Sequence, residues 1–398
     1  MLSLFFLLAA LLLVQSLIAL RDGPRFLGFV HRRLRQALPD FAPPATLICP
    51  CKGLDPGLEL NLRALVEQDY PDLEVIFVMA DADDPARPVC QRVAATGAKP
   101  VRVLVAGRPA GRGEKVNNLL AGVAAARSES EVLVFADSDG RPPADWLRKL
   151  VAHLGDAEVG AASTFRWYLP AGDFLSGLQS AWNAPAVTYM GEWSRNFCWG
   201  GGTAIRRRTF QEIDARRYWA GCVSDDYMLT RALREAGRPI VFVPQCLVVT
   251  HHPTTWRKFL EWTTRQIIIT RVYEPRLWWP AIGIHVFYCA VFLYGFVLAG
   301  FFLGQAAWGA GATILAALAA IASLSVAKGN YRLRAVLALL PRHREELRRT
   351  WWSPTLQAAL VPWVMALNFL LSAATRRITW RGVTYHLPSP WETRILVR

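Results

Sequence analysis

The chain has 398 residues, enough for two soluble domains of ordinary size, yet 53% of them are apolar and the mean hydropathy is +0.21. That excludes two purely soluble domains and requires membrane spans. A formal net charge of +14 invites a nucleic-acid reading, but no binding module accompanies it, and the arginines gather beside the apolar segments, as expected against anionic lipid.

In chain order, residues 2–20 are apolar apart from serine and glutamine and long enough to cross a bilayer. A cleaved signal peptide would begin with charge and end at a small-residue site. Here Arg21, Arg25, Arg32, Arg33 and Arg35 come next instead, which makes residues 1–21 a transmembrane helix and places the adjoining domain on the cytosolic side. Residues 40–254 alternate strand and helix patterns. The apolar run at 45–49 and the segments 73–80, 101–105 and 132–136 read as strands, those at 73–80 and 132–136 as buried ones, and 58–68 and 115–127 have helical spacing. This alternation predicts an α/β domain with a mostly parallel, doubly wound sheet, which binds ligands at the carboxyl ends of its strands.

Acidic clusters fall at such positions: Asp81, Asp83 and Asp84 after the second strand, Asp137-Ser138-Asp139 after the fourth, and Asp225-Asp226 further on. Asp137 and Asp139 either cap the turn before Pro142 or hold a hard divalent ion, Mg²⁺ or Mn²⁺, which in turn holds a diphosphate. The seven cysteines include no C-x-x-C pair, which fits buried reduced thiols.

The segment from Ile48 to Gly57, the run QDYPDLEVIFV, the DDPA at Asp83, Lys115-Val-Asn-Asn118, the DSD and the SDDY at Ser224 occur in this order. Together they resemble a membrane family-2 glycosyltransferase of the ceramide glucosyltransferase type, with the nucleotide-sugar-binding GT-A fold. The resemblance covers about residues 45–275, and TWRGVTY at 379–385 is similar to a segment near the carboxyl end of such enzymes. It implies inverting transfer of a glucose-like sugar from a UDP-sugar to a membrane lipid such as ceramide, with Mg²⁺ or Mn²⁺, at a bacterial inner membrane. The alternative is a glycosyltransferase fold without turnover, serving as a scaffold in polysaccharide or glycolipid export.

Sugar transfer needs a nucleoside contact, a neutralised diphosphate and a base for the acceptor hydroxyl. Asp81 is the candidate for the uridine, with Asp83 competing, and helix capping is the alternative for both. Asp139, backed by Asp137, is the metal ligand. Lys115 lies just after a glycine-rich turn and opens a helix, where a phosphate can meet both ammonium and helix terminus; a solvated lysine is the alternative. The resemblance makes Asp226 the base, with Asp225 beside it. Gly200, Gly201 and Gly202, with Thr203, either bring the backbone close to sugar or acceptor or form a plain tight turn. Relatives carry (Q/R)-x-x-R-W after the third aspartate, but here Arg265 precedes Gln266, Ile267, Ile268 and Ile269. The missing arginine and stacking ring point away from a processive polysaccharide synthase, and Arg271, about one turn along, is the substitute expected to assist the diphosphate.

Residues 255–276 are amphipathic, either an interfacial helix that presents a lipid headgroup or a core helix. His251-His252, which lack further spaced ligands, read as a strand end. Apolar stretches within 280–375 form transmembrane or re-entrant helices, and Pro354 and Pro362 favour a broken last segment. Arginine-rich flanks on both sides of that segment ask to lie on one side, so residues 376–398 are expected as a basic cytosolic tail.

Overall fold

The computed structural model describes residues 1–192, 195–251 and 254–397. The four apolar runs become strands β1 (Ala45–Pro50), β2 (Leu73–Met79), β3 (Val101–Val105) and β4 (Val132–Ala136). They pair in parallel in the order β3-β2-β1-β4. β2 and β4 are buried along their whole length, which explains why β4 reads as a continuous apolar run and β2 as one interrupted only by Glu74. The helices Leu58–Val66, Ala86–Thr96 and Glu114–Ala125 are the connections that a parallel sheet demands. Gly122 lies against β1 and β2, where an added Cβ would meet Ile48 and, at 3.3 Å, Val78.

Beyond β4 the sheet turns mixed. The strands β5 (Ala161–Ser163), β6 (Arg166–Tyr168), β7 (Gly202–Arg206), β8 (Ile240–Phe242) and β9 (Val248–Thr250) come next. β7 runs antiparallel to β4 and β5, β8 extends the sheet beside β5, and β6 pairs with β9. The chain runs outward from β1 through β2 to β3, then returns to place β4 on the other side of β1. The point where the order reverses therefore lies between β1 and β4, and open α/β sheets bind ligands beyond the strand ends at such a point.

The chain folds as two units whose limits cross the linear boundaries expected from the sequence. The sheet unit comprises Arg32–Trp167, Met190–His252 and Arg376–Arg398. Its last segment, expected as a basic tail, is a three-stranded antiparallel sheet of β10 (Arg377–Trp380), β11 (Val383–Ser389) and β12 (Glu392–Val397). Buried Tyr385 accepts a hydrogen bond from the Glu114 amide at 3.3 Å, and the Thr393 hydroxyl donates to the Gly221 carbonyl at 2.8 Å. Of the seven cysteines, none is in a disulfide and all but Cys289 are buried. His251 comes directly after β9, at a strand end, while His252 lies outside the described residues.

The other unit comprises Met1–His31, Tyr168–Tyr189 and Pro253–Thr375. Three of its helices are long and apolar enough to cross a membrane: Leu2–Arg35, Pro275–Gly304 and Trp308–Leu339. They meet through Phe5, Leu12, Val291, Leu298, Ile314 and Leu318, while Leu7, Leu11, Val14, Ile18 and Val297 point outward, the pattern of helices solvated by lipid. The last apolar stretch breaks into Trp352–Ala359 and Val361–Ala374, bent by 62°, with Pro362 at the start of the second piece. The helix Trp256–Tyr273 buries Phe259 and Ile267 against Leu178, Trp182, Trp278 and Phe369, so most of its apolar side is core of this unit, and Trp256 remains exposed.

Candidate active site

The site forms at the reversal between β1 and β4. Asp137-Ser138-Asp139 leaves the end of β4, and the loop from Lys52 to Asp55 leaves the end of β1. Lys115, in the first turn of the helix Glu114–Ala125, pairs with Asp137 at 2.8 Å and Asp225 at 3.3 Å and donates to the Gly200 carbonyl at 3.1 Å. Burial works against its charge, but Asp137 and Asp225 outweigh that and raise its proton affinity. The solvated-lysine reading is therefore excluded.

Arg166, which no sequence pattern singled out, closes the other side. Its guanidinium forks onto Asp137 at 2.7 Å and Asp139 at 2.9 and 3.1 Å and lies 5.0 Å from the Trp199 ring centroid, an arrangement suited to the planar, delocalised cation. Burial disfavours the Asp139 carboxylate, yet Arg166, Arg381 and Lys115 prevail and hold its pKa at about 2. Asp225 goes the other way. Burial pushes it to about 7 despite Lys115, with Asp226 and Asp137 adding repulsion.

The neighbouring carboxylates thus divide. Asp225 is buried and tied to Lys115. Asp226 is half-buried at the start of the helix Asp225–Glu235, where it accepts bonds from the Ser224 hydroxyl and, at 2.8 Å, the Tyr227 amide. Ser224, not Asp226, is the N-cap of this helix, its side chain accepting from the Tyr227 amide.

The glycine run forms a tight turn closed by the Gly202 amide on the Trp199 carbonyl at 3.0 Å, and it lies close to the protein's own side chains. A Cβ at Gly200 would strike the Asp225 carboxylate and come within 2.5 Å of the Lys115 ammonium, and one at Gly201 would strike the Trp199 ring and lie 2.7 Å from Asp137. These glycines make room for the protein's own charged groups. Thr203, expected near the acceptor, is buried, and its hydroxyl donates to the Trp199 carbonyl at 2.8 Å; it holds the turn. Asp81 is engaged by Arg108 at 3.0 Å, which lowers its pKa, and Asp83 is exposed. Asp84 is the structural member of that cluster, accepting the amides of Gly53 and Ala86, each at 2.8 Å. Arg265 and Arg271 belong to the helical unit. Arg271 caps the final helix, donating to the carbonyls of Ser372 at 2.6 Å and Ala373 at 2.8 Å. Ile268 and Ile269, at the places of the missing Arg-Trp pair, are buried core residues.

Two carboxylates one residue apart at the edge of a sheet suit a hard divalent cation by donor chemistry, and with Lys115 and Arg166 flanking them they also suit an anion carried by that cation.

The family model described as glycosyl transferase family 21 matches residues 4–391. The chain belongs to glycosyl transferase family 21. Among solved structures it is similar to the mannosyltransferase PcManGT from Pyrobaculum calidifontis in complex with GDP-Man and Mn²⁺, at 22% identity over 91% of this chain and 99% of that one, with a TM-score of 0.46. It is also similar to glucosyl-3-phosphoglycerate synthase from Mycobacterium tuberculosis in complex with Mn²⁺ and UDP-Glc, at 14% identity over 62% and 82% of the two chains, with a TM-score of 0.38. These likenesses are too loose to carry residue roles across. Within this family member the sequence pointed to Lys115, Asp137, Asp139, Asp225 and Asp226. It did not point to Arg166 or Trp199, which sit in no motif, nor to Asp55 and Arg381, which lie in quoted segments but had no assigned part.

Proposed function

We propose that this family member is a membrane-bound hexosyltransferase that moves a sugar from a UDP-sugar to a lipid hydroxyl, with inversion at the anomeric carbon. The observation that supports it best is the convergence of Asp137, Asp139, Lys115 and Asp225 at the reversal between β1 and β4, where open α/β sheets bind ligands. Asp137 and Asp139 would hold Mg²⁺ or Mn²⁺, which when bound supplies positive charge for the leaving diphosphate. Arg166 would then release at least one carboxylate oxygen. Asp226, the more accessible of the adjacent pair, takes the proton of the acceptor hydroxyl as its oxygen bonds to the anomeric carbon; the bond from that carbon to the diphosphate oxygen breaks, and UDP leaves with the electron pair. Asp225 keeps Lys115 in place.

The acceptor is a lipid because the sheet unit is joined to helices long enough to span a membrane. Residues 32–167 and 376–398 share one unit and so lie on the same side, the cytosolic one by the basic run after the first span. If Pro275–Gly304 and Trp308–Leu339 cross out and back, the bent last pair is re-entrant. The test is transfer by the purified full-length chain from a panel of radiolabelled UDP-sugars to extracted membrane lipids, with Mn²⁺ or with excess EDTA. Metal-dependent label in a lipid is expected. Full transfer in EDTA removes the metal from the reading, and no transfer with any lipid supports the scaffold alternative.

A further inference from the structure

The C-terminal sheet delivers a cation to the site that no assigned role accounts for. β10 and β11 are joined by a two-residue turn, Arg381-Gly382, with Trp380 paired to Val383. Both turn residues have positive φ, 48° at Arg381 and 82° at Gly382. Such turns favour Asn, Asp or Gly at the first position, because a Cβ crowds the backbone there. A long side chain held in this conformation is a local outlier of the kind that clusters at ligand-binding sites.

The contacts of the guanidinium show where the turn directs it. It donates to the Lys52 carbonyl and to the Asp55 carboxylate, the latter at 2.8 Å. Asp55 also accepts the hydroxyl of Ser138 at 3.2 Å, the residue between Asp137 and Asp139. Arg381 is therefore one carboxylate removed from the centre of the acidic motif. Burial opposes its charge, and Asp55, Asp139 and Asp137 more than restore it. Two of the five N–H donors of a guanidinium have protein partners among the described residues, and a third of the side chain's surface remains open.

Resting on the donor reading above, we infer that Arg381 is a diphosphate-binding residue, contributed from the far end of the chain to the loops that leave β1 and β4. Three cations, Lys115, Arg166 and Arg381, face the carboxylates of Asp55, Asp137, Asp139, Asp225 and Asp226. A divalent ion cancels the excess negative charge, so that an incoming diphosphate is not repelled. Bidentate arginine contacts to phosphate are among the stronger charge-assisted bonds.

The experiment compares Arg381→Gly and Arg381→Lys with the wild-type full-length chain in detergent micelles with Mn²⁺, titrating UDP and UMP by calorimetry, with GDP and GMP alongside. Glycine suits the turn's backbone, so the variant should keep its fold, which thermal melting verifies. Arg381→Gly should lose about 10- to 100-fold in affinity for the diphosphate and less than about threefold for the monophosphate, and Arg381→Lys should recover part of the loss. An unchanged UDP affinity overturns the inference while leaving the donor reading intact. So does an equal loss for UDP and UMP, the signature of a clamp that only holds the C-terminal sheet. A wild-type chain that binds none of the four nucleotides overturns the donor reading and this inference together.

Discussion

Replacing Lys115 by methionine would expose how the charge cluster is balanced. The ammonium lies 2.8 Å from Asp137 and 3.3 Å from Asp225, and the Asp225 side chain is only 6% exposed. Methionine fills similar volume but leaves these carboxylates without their shared counter-charge, and breaking a buried pair in this way costs about 3–5 kcal/mol. The loss should depend on pH. Asp225 already titrates at about 7 in the fold, and without Lys115 its pKa rises further. Between the unfolded and folded pKa values the folded state binds more protons, so stability falls as pH rises through that window. The variant should therefore melt only modestly below wild type at about pH 5.5, where Asp225 can take a proton, and much lower at about pH 8. Tryptophan-fluorescence melts in detergent at both pH values provide the assay. Adding Asp225→Asn to Lys115→Met should recover much of the loss at the higher pH, since the uncompensated charge is gone. Equal destabilisation at the two pH values, or no recovery in the double variant, would refute the argument that Lys115 exists to neutralise Asp225.

Asp226→Asn should lower lipid glycosylation by about 10²- to 10⁴-fold with nucleotide affinity kept within a few-fold, and Asp225→Asn should be milder because asparagine's carbonyl still accepts from Lys115. Asp139→Asn should weaken Mn²⁺-dependent UDP binding as well as turnover, and a variant with unchanged metal dependence would take Asp139 out of the ligand set. For topology, single cysteines placed at 305–307 should react with an impermeant thiol reagent from the outside, and cysteines at 357–360 and 390 should not; labelling of 390 from outside would break the shared-side argument.

Much of the sheet was legible because buried parallel strands leave continuous apolar runs. The fourth predicted strand, 132–136, matches β4 residue for residue, and 73–80 differs from β2 only at its end. Asp137, Asp139, Lys115 and Asp225 were legible for a related reason: charged residues at strand and helix ends next to such runs must find partners. Which groups they partner was not legible. Arg166 lies 27 residues from Asp139 in sequence, and Arg381 lies 326 from Asp55. Contacts of that separation leave no periodicity or spacing. The glycines show the same limit: the sequence marked a place of close approach at Gly200 and Gly201, while the identity of the approaching group, a carboxylate, an ammonium or an indole, depended on distant elements.

Local hydrophobic pattern and segment length were enough to establish an α/β domain joined to helices long and apolar enough to span a membrane. The three-dimensional arrangement was needed to show that residues 377–397 of the basic tail form a sheet in the same unit as β1–β4. It was needed equally to show that Arg381 reaches Asp55, that Arg271 caps a helix end, and that Asp225 and Asp226 differ in burial although adjacent. Local pattern fixes which residues must be buried or paired. The partner is fixed by which distant segments the fold brings together, and side-chain burial at the site is set by the same packing.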